Sequence, residues 1–225
     1  MELDQIVPWG RTRREYELMF ALAGEDLSPG VLDCGAGPAS FVAELAAEGV
    51  PAVACDPIYA YAGKDIRTRF DATCASILAQ VRATPDRWVW GYHRDPDGLL
   101  RHRRAALEGF LADYDHGKRA GRYLVAGLPE LPFGARRFRF AVCSHLLFLY
   151  SEQLSAGFHV RSIRELCRVA DEVRVFPLLN LAGEPSPHLE AVRRTLAEDG
   201  WKSDVVRVDY ELQRGGNEML RLFRA

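Results

Sequence analysis

The sequence of 225 residues lacks the features that define several classes of protein. Its longest apolar run, FAVCSHLLFLY, is interrupted by Ser144 and His145 and is too short to span a bilayer. The first residues, MELDQIVPWGRTRRE, lack the basic start and apolar centre of a signal peptide. We find no repeat, low-complexity segment or linker. These absences predict one cytoplasmic domain over residues 1–225 with no membrane partner.

Cysteine and charge exclude further classes. The chain has only five cysteines, with no Cys-x-x-Cys pair, and its histidines show no metal-ligand spacing, so we expect no bound metal. A net charge of -2 gives no overall attraction to nucleic acid. Basic residues do gather locally, but without interleaved aromatics, which favours a solvated helix face over a nucleic-acid groove; they are Arg101, Arg103, Arg104, Lys118, Arg119 and Arg122. Composition leaves the oligomeric state open.

Short strand-like runs alternate with longer helical runs, a pattern typical of an α/β sheet with crossover helices. The predicted parallel strands are GVLDC, PAVACD, RYLVAG, FRFAVCS and DEVRVFPLL. The last two predicted strands, DVVRVDYELQ and NEMLRLF, flank Arg214-Gly215-Gly216, a turn sequence typical of an antiparallel hairpin. The sequence therefore predicts a doubly wound sheet of five parallel strands followed by a C-terminal antiparallel hairpin.

Residues 57–121 separate the second and third predicted strands and exceed the roughly dozen residues that a crossover needs. Apolar residues at helical spacing predict two amphipathic helices in this segment. We interpret it as a helical insertion that forms a lid. The aromatic stretch between its helices, with Trp88, Trp90, Tyr92 and His93, either lines a ligand pocket or anchors the insertion to the sheet.

The stretch VLDCGAGPASF indicates a strand that turns sharply into a helix. Gly35 and Gly37 allow the backbone to approach a ligand, at the sheet edge where open α/β proteins bind their cofactors. Asp56 ends the second predicted strand, the position from which a carboxylate accepts hydrogen bonds from ribose hydroxyls. A dinucleotide fingerprint requires a third small residue, usually glycine, where this chain has Ser40, so that fit is poor.

Asp33, Gly35, Gly37 and Asp56 together resemble the first two motifs of class I S-adenosylmethionine-dependent methyltransferases. The stretch LPELPFGARRFRFAVCS is similar to that family's segment between the third and fourth strands, and the order of elements extends the likeness. The resemblance implies a Rossmann-like seven-stranded sheet, S-adenosylmethionine as cofactor and methyl transfer. Many relatives carry an aspartate before Leu-Pro-Phe that contacts adenine. Here Gly127-Leu128-Pro129 leaves that contact to the backbone of Gly127 and Leu128.

The resemblance also implies a set of cofactor contacts. Its predicted members are Asp33, Cys34, Gly35, Ala36, Gly37, Asp56, Pro57, Gly127, Leu128 and Ser144. Arg11 is a further candidate, because the segment before the first strand could fold back over the cofactor and pair Arg11 with its carboxylate. Structural alternatives exist: Asp33 and Asp56 could instead cap turns, and Trp9 and Arg11 could belong to a surface helix with a packing tryptophan.

His145 follows the fourth predicted strand and is the candidate general base, because methyl transfer to a hydroxyl or amine also requires removal of a proton. The alternative is that His145 only bonds the backbone or the cofactor. An insertion at the ligand edge, together with nearly neutral charge, favours a small-molecule O or N acceptor. Two other functions stay open: a nicotinamide-dependent oxidoreductase, and a methyltransferase-like module that binds or regulates without catalysis.

Overall fold

The computed structural model describes residues 7–224. The first six residues, which belong to the stretch predicted not to be a signal peptide, and Ala225 lie outside the described residues. Seven strands are present in the described part: β1 Val31–Cys34, β2 Ala52–Cys55, β3 Tyr123–Leu124, β4 Phe138–Ser144, β5 Ala170–Phe176, β6 Lys202–Arg207 and β7 Glu218–Phe223. The α-helices are α1 Arg13–Phe20, α2 Phe41–Ala47, α3 Gly63–Ala83, α4 Pro96–Arg119, α5 Ala156–Val169 and α6 Leu189–Glu198.

The strands form one sheet in the order β3-β2-β1-β4-β5-β7-β6. The first five strands are parallel, whereas β7 runs antiparallel to both β5 and β6. The sequence order reverses between β1 and β4, and this switch point is where open α/β sheets bind ligands. The predicted Rossmann-like sheet of five parallel strands with a C-terminal antiparallel hairpin is confirmed.

Helices cover both faces of the sheet, and the apolar core is divided accordingly. All four residues of β1 are buried, including Asp33, as expected for a central parallel strand covered on both faces. One core cluster packs α1 to α4 against the sheet, and the other packs α5 and α6 against its opposite face. Within the described residues, no helix has the length and apolarity needed to cross a membrane.

The segment between β2 and β3 contains α3 and α4. The α4 helix begins at Pro96, where the Asp95 carboxylate accepts the Gly98 N–H at 2.5 Å. Gly109 brings α4 close to α2, because a Cβ at this position would lie 2.9 Å from the Ser40 Cβ. These contacts fix the position of α4 over the sheet. A lid function for residues 57–121 stays a prediction.

The C-terminal hairpin is shorter than the sequence suggests. We expected a strand over residues 204–213, but β6 ends at Arg207 and residues 208–217 form a loop. This loop pairs with the segment after α3: the Val89 N–H donates to the Leu212 carbonyl at 2.8 Å, and the Arg214 N–H donates to the Arg87 carbonyl at 2.9 Å. The alternating apolar residues Tyr210 and Leu212 are therefore buried against α3 and α4 rather than in a longer hairpin.

Candidate active site

A cleft opens at the carboxyl ends of β1, β2 and β4, and we call it the outer cleft. Its volume is about 490 Å³. Most of the predicted site residues line it, namely Arg11, Gly35, Ala36, Gly37, Asp56, Pro57, Gly127, Leu128, Ser144 and His145. Side chains that the sequence analysis missed, including Ile58, Tyr61 and Arg69, also line it. Ile58 and Tyr61 lie within five positions after Asp56, so their place in the chain was the available signal.

The loop after β1 has the backbone conformation that its glycines suggest. Gly35 and Gly37 have φ values of +70° and +55°, in the left-handed region that favours glycine. A Cβ at Gly35 would lie 2.5 Å from Leu146 Cδ2, whereas a Cβ at Gly37 would have no protein atom within 4 Å. Since Gly37 lines the outer cleft, a side chain there would occupy space that the bare loop leaves for a ligand.

Asp56 holds this loop in place. Its Oδ2 accepts the Gly37 N–H at 2.8 Å, and its Oδ1 accepts the Ile58 N–H at 2.9 Å, which caps a 3₁₀ turn over Pro57–Ala60. Burial raises the pKa of Asp56, against the lowering effect of the two backbone donors. Each carboxyl oxygen has a further lone pair, so Asp56 can accept hydrogen bonds from a ligand while it anchors the loop.

Asp33 and Cys34 lie behind the loop and do not line the outer cleft. Both are fully buried. Burial raises the pKa of Asp33 to about 8, and nearby Asp56 adds to this increase while Tyr16 and Arg11 oppose it. The Tyr16 hydroxyl is next to Asp33, but no ordinary hydrogen bond is formed to either carboxyl oxygen. Burial also raises the pKa of the Cys34 thiol, which makes it a core side chain.

Arg11 precedes α1 and lies at the cleft wall. Its Nη1 donates to the Trp9 carbonyl at 2.8 Å, whereas its Nε is buried without a hydrogen-bond partner. Burial lowers the pKa of Arg11 to about 10, and nearby Arg103 lowers it further. Among residues 7–224 no carboxylate forms an ion pair with Arg11. The guanidinium is therefore a positive charge that an anionic group in the cleft can neutralise.

His145 follows β4 and has φ of +54°, an uncommon conformation for a residue with a side chain. Its N–H donates to the Phe176 carbonyl at 2.7 Å, and its Nδ1 lies 2.9 Å from Ser144 Oγ. Burial lowers the pKa of His145 well below 6.5, and the charges of Arg11 and Arg103 act in the same direction. The imidazole is therefore neutral at pH 7 and can accept a proton without first losing one.

A second, smaller space adjoins the outer cleft, and we call it the inner cavity. Its volume is about 80 Å³. Ile77 of α3, Leu99 of α4 and Leu212 of the 208–217 loop form part of its walls, and further apolar side chains come from other segments, including Leu149 and Phe176. The two spaces share part of their lining, namely Val7, Trp9, Arg11 and His145. Trp88 from the aromatic stretch also lines the inner cavity.

A buried ionic network lies beside the inner cavity, and it corrects the interpretation of one basic residue. Arg103 is fully buried rather than on a solvated helix face, because α4 directs it toward α1. Its Nη1 donates to Glu15 Oε1 at 2.6 Å, and the Tyr210 hydroxyl donates to the same oxygen at 3.1 Å. His93 Nε2 lies 2.9 Å from the Tyr210 hydroxyl. Burial alone would raise the pKa of Glu15, but nearby positive charge, chiefly that of Arg103, lowers this pKa to about 2.

The network joins α1, α4 and the 208–217 loop, which are far apart in sequence. No sequence signal indicated it for that reason. No group of three or more histidine, cysteine or acidic residues in the described part of the chain is placed to hold a metal ion.

Comparison with known proteins gives one sequence relative and several structural neighbours. No family model matches the sequence. An uncharacterized protein from Methanocaldococcus jannaschii is 29% identical over 225 residues, which is 100% of this chain and 99% of that protein.

Two solved structures illustrate the structural neighbours. Magnesium protoporphyrin IX methyltransferase from Synechocystis with bound S-adenosylmethionine has a TM-score of 0.45 and 12% identity, and the match covers 87% of this chain and 69% of that one. The N-methyltransferase NodS from Bradyrhizobium japonicum with S-adenosylhomocysteine has a TM-score of 0.46 and 12% identity, covering 93% and 82% respectively.

Proposed function

We propose that this protein binds S-adenosylmethionine in the outer cleft and transfers its methyl group to an oxygen or nitrogen of a small-molecule acceptor. One observation carries the proposal. The glycine loop, Asp56 and Arg11 face one cleft at the switch point of the sheet, and His145 lies on the wall that this cleft shares with the inner cavity.

The lining residues fit the parts of this cofactor. The Asp56 carboxylate would accept hydrogen bonds from the ribose hydroxyls, and Gly37 leaves room beside the loop. The side chains of Ile58 and Leu128 offer apolar surface to the adenine ring. The backbone groups of Gly127 and Leu128 would form hydrogen bonds with the polar edge of the adenine. The unpaired guanidinium of Arg11 would bind the carboxylate of the methionine part.

When bound, the cofactor supplies a methyl group on a positively charged sulfur. The new bond forms between the acceptor oxygen or nitrogen and this carbon while the bond from carbon to sulfur breaks and its electron pair stays on sulfur. His145 takes the proton that the acceptor loses, which its neutral imidazole permits. The remaining task of the protein is to align donor and acceptor and exclude water, and the largely apolar walls of the inner cavity do both.

Thermal unfolding tests the cofactor. The protein is heated with S-adenosylmethionine, S-adenosylhomocysteine, NADH or NADPH at matched concentrations. A ligand at about 100 times its Kd adds about 2.7 kcal/mol, or roughly 5 to 10 °C in Tm for this chain length. We expect this shift with the two sulfur compounds, its loss in Asp56→Ala, and its retention in Asp115→Ala, which removes an exposed carboxylate on α4.

Each other outcome has a definite meaning. A shift with a nicotinamide alone would contradict the proposal and favour an oxidoreductase. No shift with any of the four would favour a methyltransferase-like module that acts without this cofactor.

A further inference from the structure

The inner cavity has few polar groups to offer a ligand. Most polar side-chain atoms on its walls are already bonded within the protein. Trp88 Nε1 donates to Thr84 Oγ1 at 3.0 Å, Gln213 Nε2 donates to the Asn180 carbonyl at 3.0 Å, and Tyr150 Oη accepts the Val7 N–H at 3.3 Å. Other wall positions carry Ile77, Val81, Leu99 and Leu149. Most of a molecule in this cavity would therefore contact carbon.

The cavity also has no charge left to neutralise a charged ligand. The Arg103 guanidinium beside it is paired with Glu15 in the buried network. The remaining cation, Arg11, lies on the shared wall, where the proposed function assigns it to the cofactor carboxylate. Since a charged group without a partner is costly to bury, an acceptor that enters this cavity must be neutral.

The size of the cavity sets a second limit. An engineered apolar cavity of about 150 Å³ holds benzene. The inner cavity, at about 80 Å³, is smaller. A single ring therefore fits only if its reactive end projects past the residues that both spaces share, toward the outer cleft. Two fused rings do not fit. The shared wall is where His145 lies, so the reactive end of such a molecule would be placed beside the base.

We propose that the inner cavity is the acceptor site, and that its acceptor is a neutral molecule of about phenol size with an apolar body, whose hydroxyl or amine lies beside His145. This inference rests on the proposed function for the identity of the reaction. It goes beyond that function by assigning the site and the size and charge of the molecule that it takes.

Calorimetric titration of four probes tests the inference: 4-methylphenol, its anionic analogue 4-hydroxybenzoate, its cationic analogue tyramine, and the larger neutral 2-naphthol. Each is titrated into the protein alone and into the protein saturated with S-adenosylhomocysteine. We expect 4-methylphenol to bind at least tenfold more tightly than the two charged probes and 2-naphthol. Tighter binding of a charged probe, or no binding of 4-methylphenol in either state, would overturn the inference.

Three variants locate the site. Leu149 lines the inner cavity and not the outer cleft, so Leu149→Trp should weaken binding of 4-methylphenol at least tenfold and change the Kd of S-adenosylhomocysteine less than threefold. Leu189→Trp, on α6 against the opposite core, is the matched control and should change neither. Leu149→Ala enlarges the cavity and should improve binding of 2-naphthol at least tenfold, which keeps the test informative if the tryptophan variant misfolds.

The two proposals fail differently. If S-adenosylhomocysteine does not bind while 4-methylphenol binding depends on Leu149, the cofactor assignment is wrong and the cavity assignment stands. If S-adenosylhomocysteine binds and the Leu149 variants bind all probes as the wild type does, the acceptor site lies elsewhere.

Discussion

Arg11 is a cation held inside the protein without an anionic partner among the described residues. Replacing it with methionine tests its assignment to the cofactor carboxylate. Hydrogen bonds to charged groups contribute about 1.5 to 3 kcal/mol, so Arg11→Met should raise the Kd of S-adenosylmethionine roughly 10- to 150-fold in a calorimetric titration. The ligand-free variant should unfold at the same or a higher temperature, because the substitution removes a buried charge.

Arg14→Met is the control for this substitution, because Arg14 is exposed and pairs only with Glu17 among the described residues. Unchanged cofactor affinity in Arg11→Met would assign Arg11 a structural role.

His145 should determine the rate rather than cofactor affinity. With an identified acceptor, His145→Ala should lower kcat by roughly 10² to 10⁴, the usual contribution of a general base, and leave the Kd of S-adenosylhomocysteine within about threefold. Because the pKa of His145 lies well below 6.5, the wild-type rate should show no loss from its protonation between about pH 6.5 and 8. Exposed His116 on α4 provides the control variant His116→Ala. A full rate in His145→Ala would refute the assignment.

The buried carboxyl of Asp33 should make the free energy of unfolding depend on pH. Its pKa is about 8 in the folded protein, against 3.8 for the ordinary side chain, so the folded state holds a proton that the unfolded state releases. The free energy of unfolding should therefore fall as the pH rises from about 4 to 8, by a few kcal/mol in total. Asp33→Asn should remove this fall. Urea unfolding of both proteins across this range measures the difference, and parallel pH curves would show that Asp33 is ionised in the fold.

At the level of secondary-structure elements, the buried network is the main link between α1, α4 and the loop over residues 208–217. Residues of α4 and of this loop line the inner cavity, so the network helps to fix the shape of the space in which we place the acceptor. Both carboxyl oxygens of Glu15 are hydrogen-bonded. Thr12 donates its N–H and its hydroxyl to Oε2 at 3.0 and 3.2 Å, and Arg103 donates to Oε1.

Breaking this pair should be costly. Arg103→Met leaves the Glu15 carboxylate buried without its partner and should lower the free energy of unfolding by about 3 to 5 kcal/mol. Arg104→Met, an exposed neighbour on the same helix, should change it by less than about 1 kcal/mol. The double variant Glu15→Gln/Arg103→Met should lose less than the sum of the two single variants in urea unfolding. Additive losses would mean that the two charges do not depend on each other.

At the level of the whole molecule, the question is whether residues 57–121 form part of one folding unit with the sheet. Phe110 of α4 packs against Tyr59, at the start of the segment, and Tyr114 packs against Tyr123, just after it. Both helices contribute to one of the two main core clusters. This continuity predicts a single cooperative unfolding transition.

Two probes test this prediction. Far-ultraviolet circular dichroism follows all helices, and tryptophan fluorescence follows Trp88 in one core and Trp201 in the other. Their unfolding curves in urea should coincide. Two separate transitions would show that the inserted helices unfold independently, and the single-domain prediction would be wrong.

Local patterns in the sequence were sufficient for the architecture and for the outer cleft. The apolar residues of β1, the two glycines after it and the carboxylate after β2 each act within a few residues of their own position. Strand period, turn geometry and the chirality of crossovers then place them at one edge of the sheet. That is why the fold could be predicted, and why Gly35, Gly37 and Asp56 were named as site residues before the structure placed them in one cleft.

The buried network and the inner cavity could not be found in this way. Arg103 and Tyr210 both reach Glu15, across 88 and 195 positions of the chain. In sequence, Arg103 is one of several basic residues on an amphipathic helix, and Tyr210 is part of an apparent strand. Their roles depend on which side of α4 faces α1 and on where β6 ends. These are outcomes of packing between distant segments, which no local pattern encodes, so the size and polarity of the inner cavity emerged only from the folded molecule.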